Sequence, residues 1–168
     1  MAIRNILIEG EPRLRKKSRM VDKFDAKLAL LLDDMKDTMY DANGVGLAAA
    51  QIGILKNIVV IDISDGPLEL VNPQIIYQYG EQCNCEGCLS VPEVTGYVKR
   101  PEKLVVRAQD RNGKMVEHVA EDFLAVAMCH EIDHLSGILF IDKVLKLTDE
   151  ELSALKKRDE EQDTKQED

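Results

Sequence analysis

A helix with no polar face has to lie inside a protein, and residues 121–135 of this chain read as one. Phe123, Leu124, Ala125, Val126, Ala127 and Met128 are apolar on every side, whereas a surface helix shows only one apolar stripe. Glu121 and Asp122 place acids in the first turn, where the helix dipole favours them, and Gly137 follows the end as a C-cap should. The apolar run leads directly into His130-Glu131-Ile132-Asp133-His134. His130 and His134 are one turn apart and face the same way, so both imidazoles can reach one metal ion. Glu131 is close enough to handle the proton of a metal-bound water without being a ligand. An H-E-x-x-H string also arises by chance, and histidines on apolar helices are often core residues. Two histidines and two carboxylates after six apolar residues nevertheless need something to neutralise them, because unpaired buried charge is costly.

At 168 residues and 45% apolar content the chain is one domain able to bury a core. Its formal net charge of −9 argues against non-specific nucleic-acid binding, which needs basic surface. No apolar run is long enough to span a membrane and no signal-peptide core is evident, so a cytoplasmic protein is expected.

In chain order, Ile6-Leu7-Ile8 is a short apolar segment ending in a turn at Gly10-Glu11-Pro12, and residues 13–17 read as a solvated basic stretch. Leu28, Leu31, Leu32, Met35 and Met39 recur at helical spacing, with Asp22 or Asp25 as N-cap. Gly44-Val45-Gly46 lets a backbone pass close to a neighbour, and the alanines after it permit tight packing. The stretch lacks the lysine of a phosphate loop. Residues 58–63, 68–71 and 75–79 read as strands, the last two separated by Asn72-Pro73. Residues 104–109 and 115–119 flank the hairpin signature Asp110-Arg111-Asn112-Gly113, and His118 reads as a surface histidine. Thr148 with Glu151 forms a capping box, so a helix starts there. From residue 149 there are four basic and nine acidic residues, and the last ten lack apolar periodicity. The expected division is therefore 1–147 as the catalytic domain and 148–168 as a helix dissolving into an acidic, frayed tail.

Three of the four cysteines fall at Cys83, Cys85 and Cys88. With Cys129 they suggest a non-catalytic zinc module, although the C-x-C-x-x-C spacing is not a standard ribbon pair. One of these cysteines with the two histidines would instead leave a position for water, the catalytic pattern. An H-E-x-x-H metallopeptidase is the other alternative, but its third ligand normally lies downstream, where residues 137–168 hold no histidine.

Residues 44–51, 86–90 and 130–134, in this order, together resemble the peptide deformylases, metalloenzymes that remove the formyl group from the N-terminal formylmethionine of new bacterial proteins. The signatures GxGLAAxQ, EGCLS and HExDH are each complete here. The resemblance implies an α+β fold, with small antiparallel sheets packed around a central buried metal-binding helix in a single domain. It places the metal ligands at Cys88, His130 and His134 and the catalytic glutamate at Glu131. It also implies that the Gln51 amide and the Leu89 N–H hold the oxyanion. One divalent metal is expected, iron(II) natively, with zinc, nickel or cobalt able to replace it.

The chemistry is consistent with that assignment. A formamide is a poor electrophile, and a divalent metal lowers the pKa of bound water to about 7, supplying hydroxide that Glu131 would assist as base and then acid. Gly44 and Gly46 would let the substrate lie against the protein as an added strand. Val45, Val126 and Ala127 are candidates for the methionine pocket, and Glu86 and Gly87 for its surroundings. Cys83 and Cys85 are expected to be inert thiols and Asp133 to have a structural role, while Cys129 departs from the glutamine that many members of the family carry before the first histidine. N-formylmethionyl nascent peptides are the implied partner. Docking on the ribosome should be weak, because the tail is acidic and ribosomal RNA repels it.

Overall fold

The computed structural model describes residues 2–166. In chain order the regular elements are α1 (Ala26–Asp41), β1 (Gly46–Ala48), β2 (Ile58–Ile61), β3 (Leu68–Tyr79), β4 (Gln82–Cys88), β5 (Val91–Arg100), β6 (Lys103–Gln109), β7 (Met115–Glu121), α2 (Asp122–His134) and α3 (Asp149–Gln166). Short 3₁₀ turns lie at Pro12–Arg15, Ala49–Ile52 and Phe140–Asp142. The strands form an antiparallel five-stranded sheet, ordered β1-β2-β3-β6-β7, and a separate β4-β5 hairpin. The expected α+β fold with small antiparallel sheets around a buried helix is the one observed.

The layering follows from side-chain alternation along β2, which is buried on both faces. Ile58 and Val60 join Leu28, Leu31, Leu32, Met35 and Met39 of α1 in one core cluster. Val59 and Ile61 point the other way, into a cluster with Ala125, Ala127, Met128 and Cys129 of α2. The thin end of the sheet is thus sandwiched between the two helices, and this is why its strands carry no polar face. Asp25 caps α1, accepting from the Leu28 N–H at 3.1 Å.

Four local expectations are corrected. Asn72-Pro73 does not divide two strands; β3 runs through it with a register shift between Val71 and Gln74. Asn72 takes a left-handed φ of 52° there, and its amide binds both backbone groups of Val21, so the bulge is anchored from outside the sheet. The stretch at 13–17 is not wholly solvated, because Leu14 is buried in it, although its basic residues are exposed as expected and Arg15 pairs with Asp142 at the surface. His118 on β7 is half-buried rather than on the surface. The tail does not dissolve after Leu155, since α3 continues to Gln166.

Packing explains that last difference. The capping box holds as read, with Thr148 N to Glu151 Oε2 at 2.8 Å and Glu151 N to Thr148 Oγ1 at 3.2 Å. Further along, Arg158 donates to the Cys83 carbonyl at 2.8 Å and Tyr97 donates to Asp159 at 2.7 Å. Polar contacts to the β4-β5 hairpin thus hold a helix that has no apolar stripe and no buried residue. No helix among the described residues is long and apolar enough to cross a membrane.

Candidate metal centre and active site

The site forms where three segments meet. The middle of α2 supplies His130, Glu131 and His134, all buried. The end of β4 supplies Cys88, followed by Leu89 and Ser90 in the two-residue turn before β5. The 3₁₀ turn after β1 supplies Gln51, 1% exposed. The N-terminal segment clamps the last two pieces together: Leu7 N–H donates to the Gln51 carbonyl and Glu9 N–H to the Ser90 carbonyl, each at 2.7 Å. Its apolar residues are therefore a brace for the site rather than a strand.

Ligand atoms of Cys88, His130 and His134 lie within 4.8 Å of one another, and among the described residues no other group of histidines, cysteines and acids converges in this way. Cys88 Sγ is 3.5 Å from His134 Nε2. A tetrahedral cation with bonds near 2.1 Å to nitrogen and 2.3 Å to sulfur would separate two such donors by about 3.6 Å. The donor set thus fits a divalent cation, with one thiolate, two imidazoles and a coordination position to spare.

Second partners hold these ligands in place. His130 Nδ1 lies 2.9 Å from Glu86 Oε1, which leaves Nε2 as the nitrogen facing Cys88 and Glu131. Glu86 also binds Arg100 through both oxygens, at 2.8 and 2.9 Å, and Arg100 reaches Asp133 at 2.6 Å. Asp133 is further paired with Lys143 at 2.9 Å, so it ties α2 to Arg100 on one side and to Lys143 on the other. Gln51 Oε1 accepts from the Ala48 N–H at 2.9 Å, and this turns its amide nitrogen toward Ser90 Oγ at 3.1 Å and Cys88 Sγ at 3.6 Å.

The electrostatics are those of buried groups that bear strongly on one another. Burial alone would lower the pKa of His130, but its hydrogen bonds to Cys88 and Glu86 and the Glu131 carboxylate raise it to about 10. His134 is pushed down to about 3 by burial, with the His130 charge adding to the effect. Burial raises Glu131 to about 7, opposed by His130. Its Oε2 has no partner among the described residues, nor has His134 Nδ1.

A cavity of about 590 Å³ opens onto these groups. Gly44, Val45, Gly46, Gln51, Glu86, Gly87, Cys88, Leu89, Val126, Ala127, His130 and Glu131 all line it. His134 sits behind them. Sequence reasoning missed Phe123, which lines the cavity and is 54% exposed although its helix reads as buried throughout. It also gave Arg100 no role, and nothing in a strand followed by proline signals its 3% exposure. Asp159, Gln162 and Asp163 of α3 line the cavity as well.

The four cysteines do not form a zinc module. Cys129 belongs to the core cluster between α2 and the sheet, where burial pushes its thiol up to about 11. Cys85 is exposed, and half-buried Cys83 is raised chiefly by burial.

The comparisons with known proteins point the same way as the geometry. A curated relative from Caldicellulosiruptor bescii, named peptide deformylase, is 59% identical over 151 residues, covering 90% of this chain and 91% of its own. Among solved structures, a peptide deformylase from Thermotoga maritima superposes with a TM-score of 0.85 at 37% identity, over 87% of this chain and 100% of that one. One from Legionella pneumophila has a TM-score of 0.83 at 43% identity and covers 98% of both chains. The family model described as polypeptide deformylase matches residues 3–150. On the matched sequence, the superposed fold and the Cys/His/His centre together, the chain belongs to the polypeptide deformylases, hydrolases that act on N-formyl peptides.

Proposed function

We propose that the protein removes the formyl group from the N-terminal formylmethionine of newly synthesised polypeptides in the cytoplasm and releases formate. The observation that carries this reading is the position of Glu131. Its carboxylate is buried and has one unpartnered oxygen, and it lies in the cavity beside the Cys88, His130 and His134 donors. A divalent cation held by those three residues, iron(II) natively with zinc, nickel or cobalt as substitutes, would supply an activated water and polarise the formyl oxygen. Glu131 takes the proton of the attacking water and returns it to the leaving amine, a role that its position in the cavity beside the three donors suits. Gln51 Nε2 and the Leu89 N–H stabilise the developing oxyanion; one such donor is typically worth about 3 kcal/mol.

β1 is an edge strand of the five-stranded sheet, so one side of Gly46–Ala48 is open for an extended peptide to add as a further strand. Gly44 and Gly46 keep that approach clear, while Val45, Val126 and Ala127, with Phe123, offer apolar surface to the methionine side chain. Glu86 acts through His130, and Gly87 lines the β4 side of the cavity. The acidic α3 makes direct docking on ribosomal RNA weak.

The test is formate release from a formyl-Met tripeptide by protein loaded anaerobically with iron(II), beside a Glu131→Ala variant shown to bind metal. Rapid release by the first and a loss of at least about a hundredfold in the second are expected. Metal-bound protein that leaves every formyl peptide intact would overturn the reading.

A further inference from the structure

Beyond Val71, β3 runs on as an arm with a single neighbour. The pairing with β2 ends where Ile58 opposes Val71, and the Asn72 N–H then donates to the Asn57 carbonyl at 2.8 Å. From Gln74 to Tyr79 the strand pairs with β6, and among the described residues no strand meets its other edge. That edge presents a row of unpaired backbone donors and acceptors. Residues 74–79 read Gln-Ile-Ile-Tyr-Gln-Tyr, with no charge, proline or glycine. Open edges are ordinarily guarded by lysine, proline or a bulge that turns them away, and strand-forming, uncharged six-residue windows are the ones that recruit a further strand.

Ile75, Ile76, Tyr77 and Tyr79 are 36% to 64% exposed. An uncharged run with apolar residues on both faces is the pattern of a strand flanked on both sides, as β2 is by β1 and β3. The arm has that pattern and only one flank. Tyr77 opposes Val105, which opposes Val119, so the three form an apolar row on the sheet face turned away from α2. The charges beside this row are neutralised in pairs, Lys103 with Glu121 at 2.9 Å and Arg107 with Glu117 at 2.8 Å.

We propose that this edge is the interface with a second copy of the chain, the two arms pairing antiparallel about a two-fold axis normal to the sheet. Charge favours a second copy at this place. The chain carries a net charge of −9, so two copies repel each other in general, and the neutral arm lets them meet without adding to that repulsion. An axis normal to the sheet keeps the two outer faces on one side, so the row of Tyr77, Val105 and Val119 continues into its counterpart. Identical antiparallel edges also satisfy each other's backbone groups, which closes the assembly at two. None of residues 74–79 lines the active-site cavity, so a dimer leaves both sites open. Six residues of edge make a small interface, and the dimer is accordingly a weak, concentration-dependent one.

Sedimentation velocity of the metal-loaded protein, up to about 500 μM, should show monomer passing into dimer with a Kd of about 10–100 μM, the weak end expected of a small interface. Added salt should tighten the dimer, because it screens the repulsion between acidic chains and the edge itself holds no charge. Ile76→Lys and Tyr77→Lys bring like charges together near the axis and should each raise Kd by about tenfold or more, with the urea midpoint and formate release unchanged. Leu30→Lys adds the same charge at an equally exposed residue of α1 and should not raise it. Amide hydrogen exchange at residues 74–79 should slow as the dimer fills, since its backbone groups become paired. A monomer at every concentration overturns the proposal. So does a dimer that both edge variants leave intact, one that Leu30→Lys weakens equally, one without slowed exchange along the arm, or growth past two copies into larger assemblies.

Discussion

Glu86 Oε1 lies 2.9 Å from Nδ1 of His130, and that contact decides which nitrogen of the ring faces the metal centre. The carboxylate is 6% exposed and is itself held by both arms of Arg100, so the imidazole has little freedom to turn. Carboxylate partners of this kind raise the basicity of a metal-binding histidine and fix its orientation.

Glu86→Gln should therefore weaken metal binding by about ten- to a hundredfold, because the amide keeps the shape and loses the charge. Competition against a graded series of chelators measures this directly. Glu86→Ala should do more, since it strands the Arg100 guanidinium in a buried position, a loss of about 3–5 kcal/mol in stability. Urea unfolding of the metal-free protein separates the two effects: the glutamine variant keeps most of its stability and the alanine variant does not.

The thiols divide by environment. Cys88→Ser should abolish high-affinity metal binding, whereas Cys83→Ser and Cys85→Ser should keep both metal and activity, because neither thiol reaches the donor cluster. Alkylation of the folded protein should mark the exposed Cys85 first. It should spare Cys129, which is buried and has a pKa near 11. Mass spectrometry of peptides from briefly alkylated protein checks the order, and early modification of Cys129 would mean that the α2 core opens readily.

The motifs were legible because their chemistry is local. Cys88, His130, Glu131 and His134 announce themselves by residue type and spacing, and the helix under the histidines by an apolar run that no surface helix carries. The hairpin at Asp110 and the cap of α3 were readable for the same reason, since turn and cap residues act within a few positions. What stayed hidden depends on contacts distant in sequence. Arg100 is defined by Glu86 and Asp133, 14 and 33 residues away. Asn72 turns a strand break into a bulge only because Val21 meets it across 51 residues. The course of α3 after Leu155 is set by Cys83 and Tyr97, not by its own periodicity.

Acid stability should hinge in part on Glu69. Burial would raise its pKa from the ordinary 4.5, but hydrogen bonds from Arg111 and Lys36 outweigh burial and hold it below that value. A carboxyl lowered in the folded state contributes stability that is present above the unfolded pKa and is lost as pH falls through the folded one. The contribution is thus complete at neutral pH and drains away below about pH 4.5. Glu69→Gln should be less stable than wild type at pH 7, with the gap closing as the pH drops toward 3. Denaturant unfolding at matched pH values, on metal-free samples, tests the convergence; a gap independent of pH would assign the loss to packing.

A side chain at Gly46 would strike the carboxylate of Glu131, the proposed base, and one at Gly44 would not. A Cβ added at Gly46 would stand 2.6 Å from Glu131 Oε1, 2.7 Å from its Cγ and 2.8 Å from its Cδ, so the whole carboxylate would have to move. At Gly44 the nearest atom is the tip of Leu89, Cδ1 at 2.7 Å, which can rotate away. Gly46→Ala should therefore lower kcat by about a hundredfold or more, since misplacing a catalytic group by about 1 Å has that effect, while the metal stays bound. Gly44→Ala should lose less, mainly through KM, because it narrows the groove without displacing the base. Steady-state kinetics beside a metal assay of each purified variant decides the point. Equal losses in the two variants would mean that Glu131 adapts, and that the glycine pair serves only the passage of the peptide.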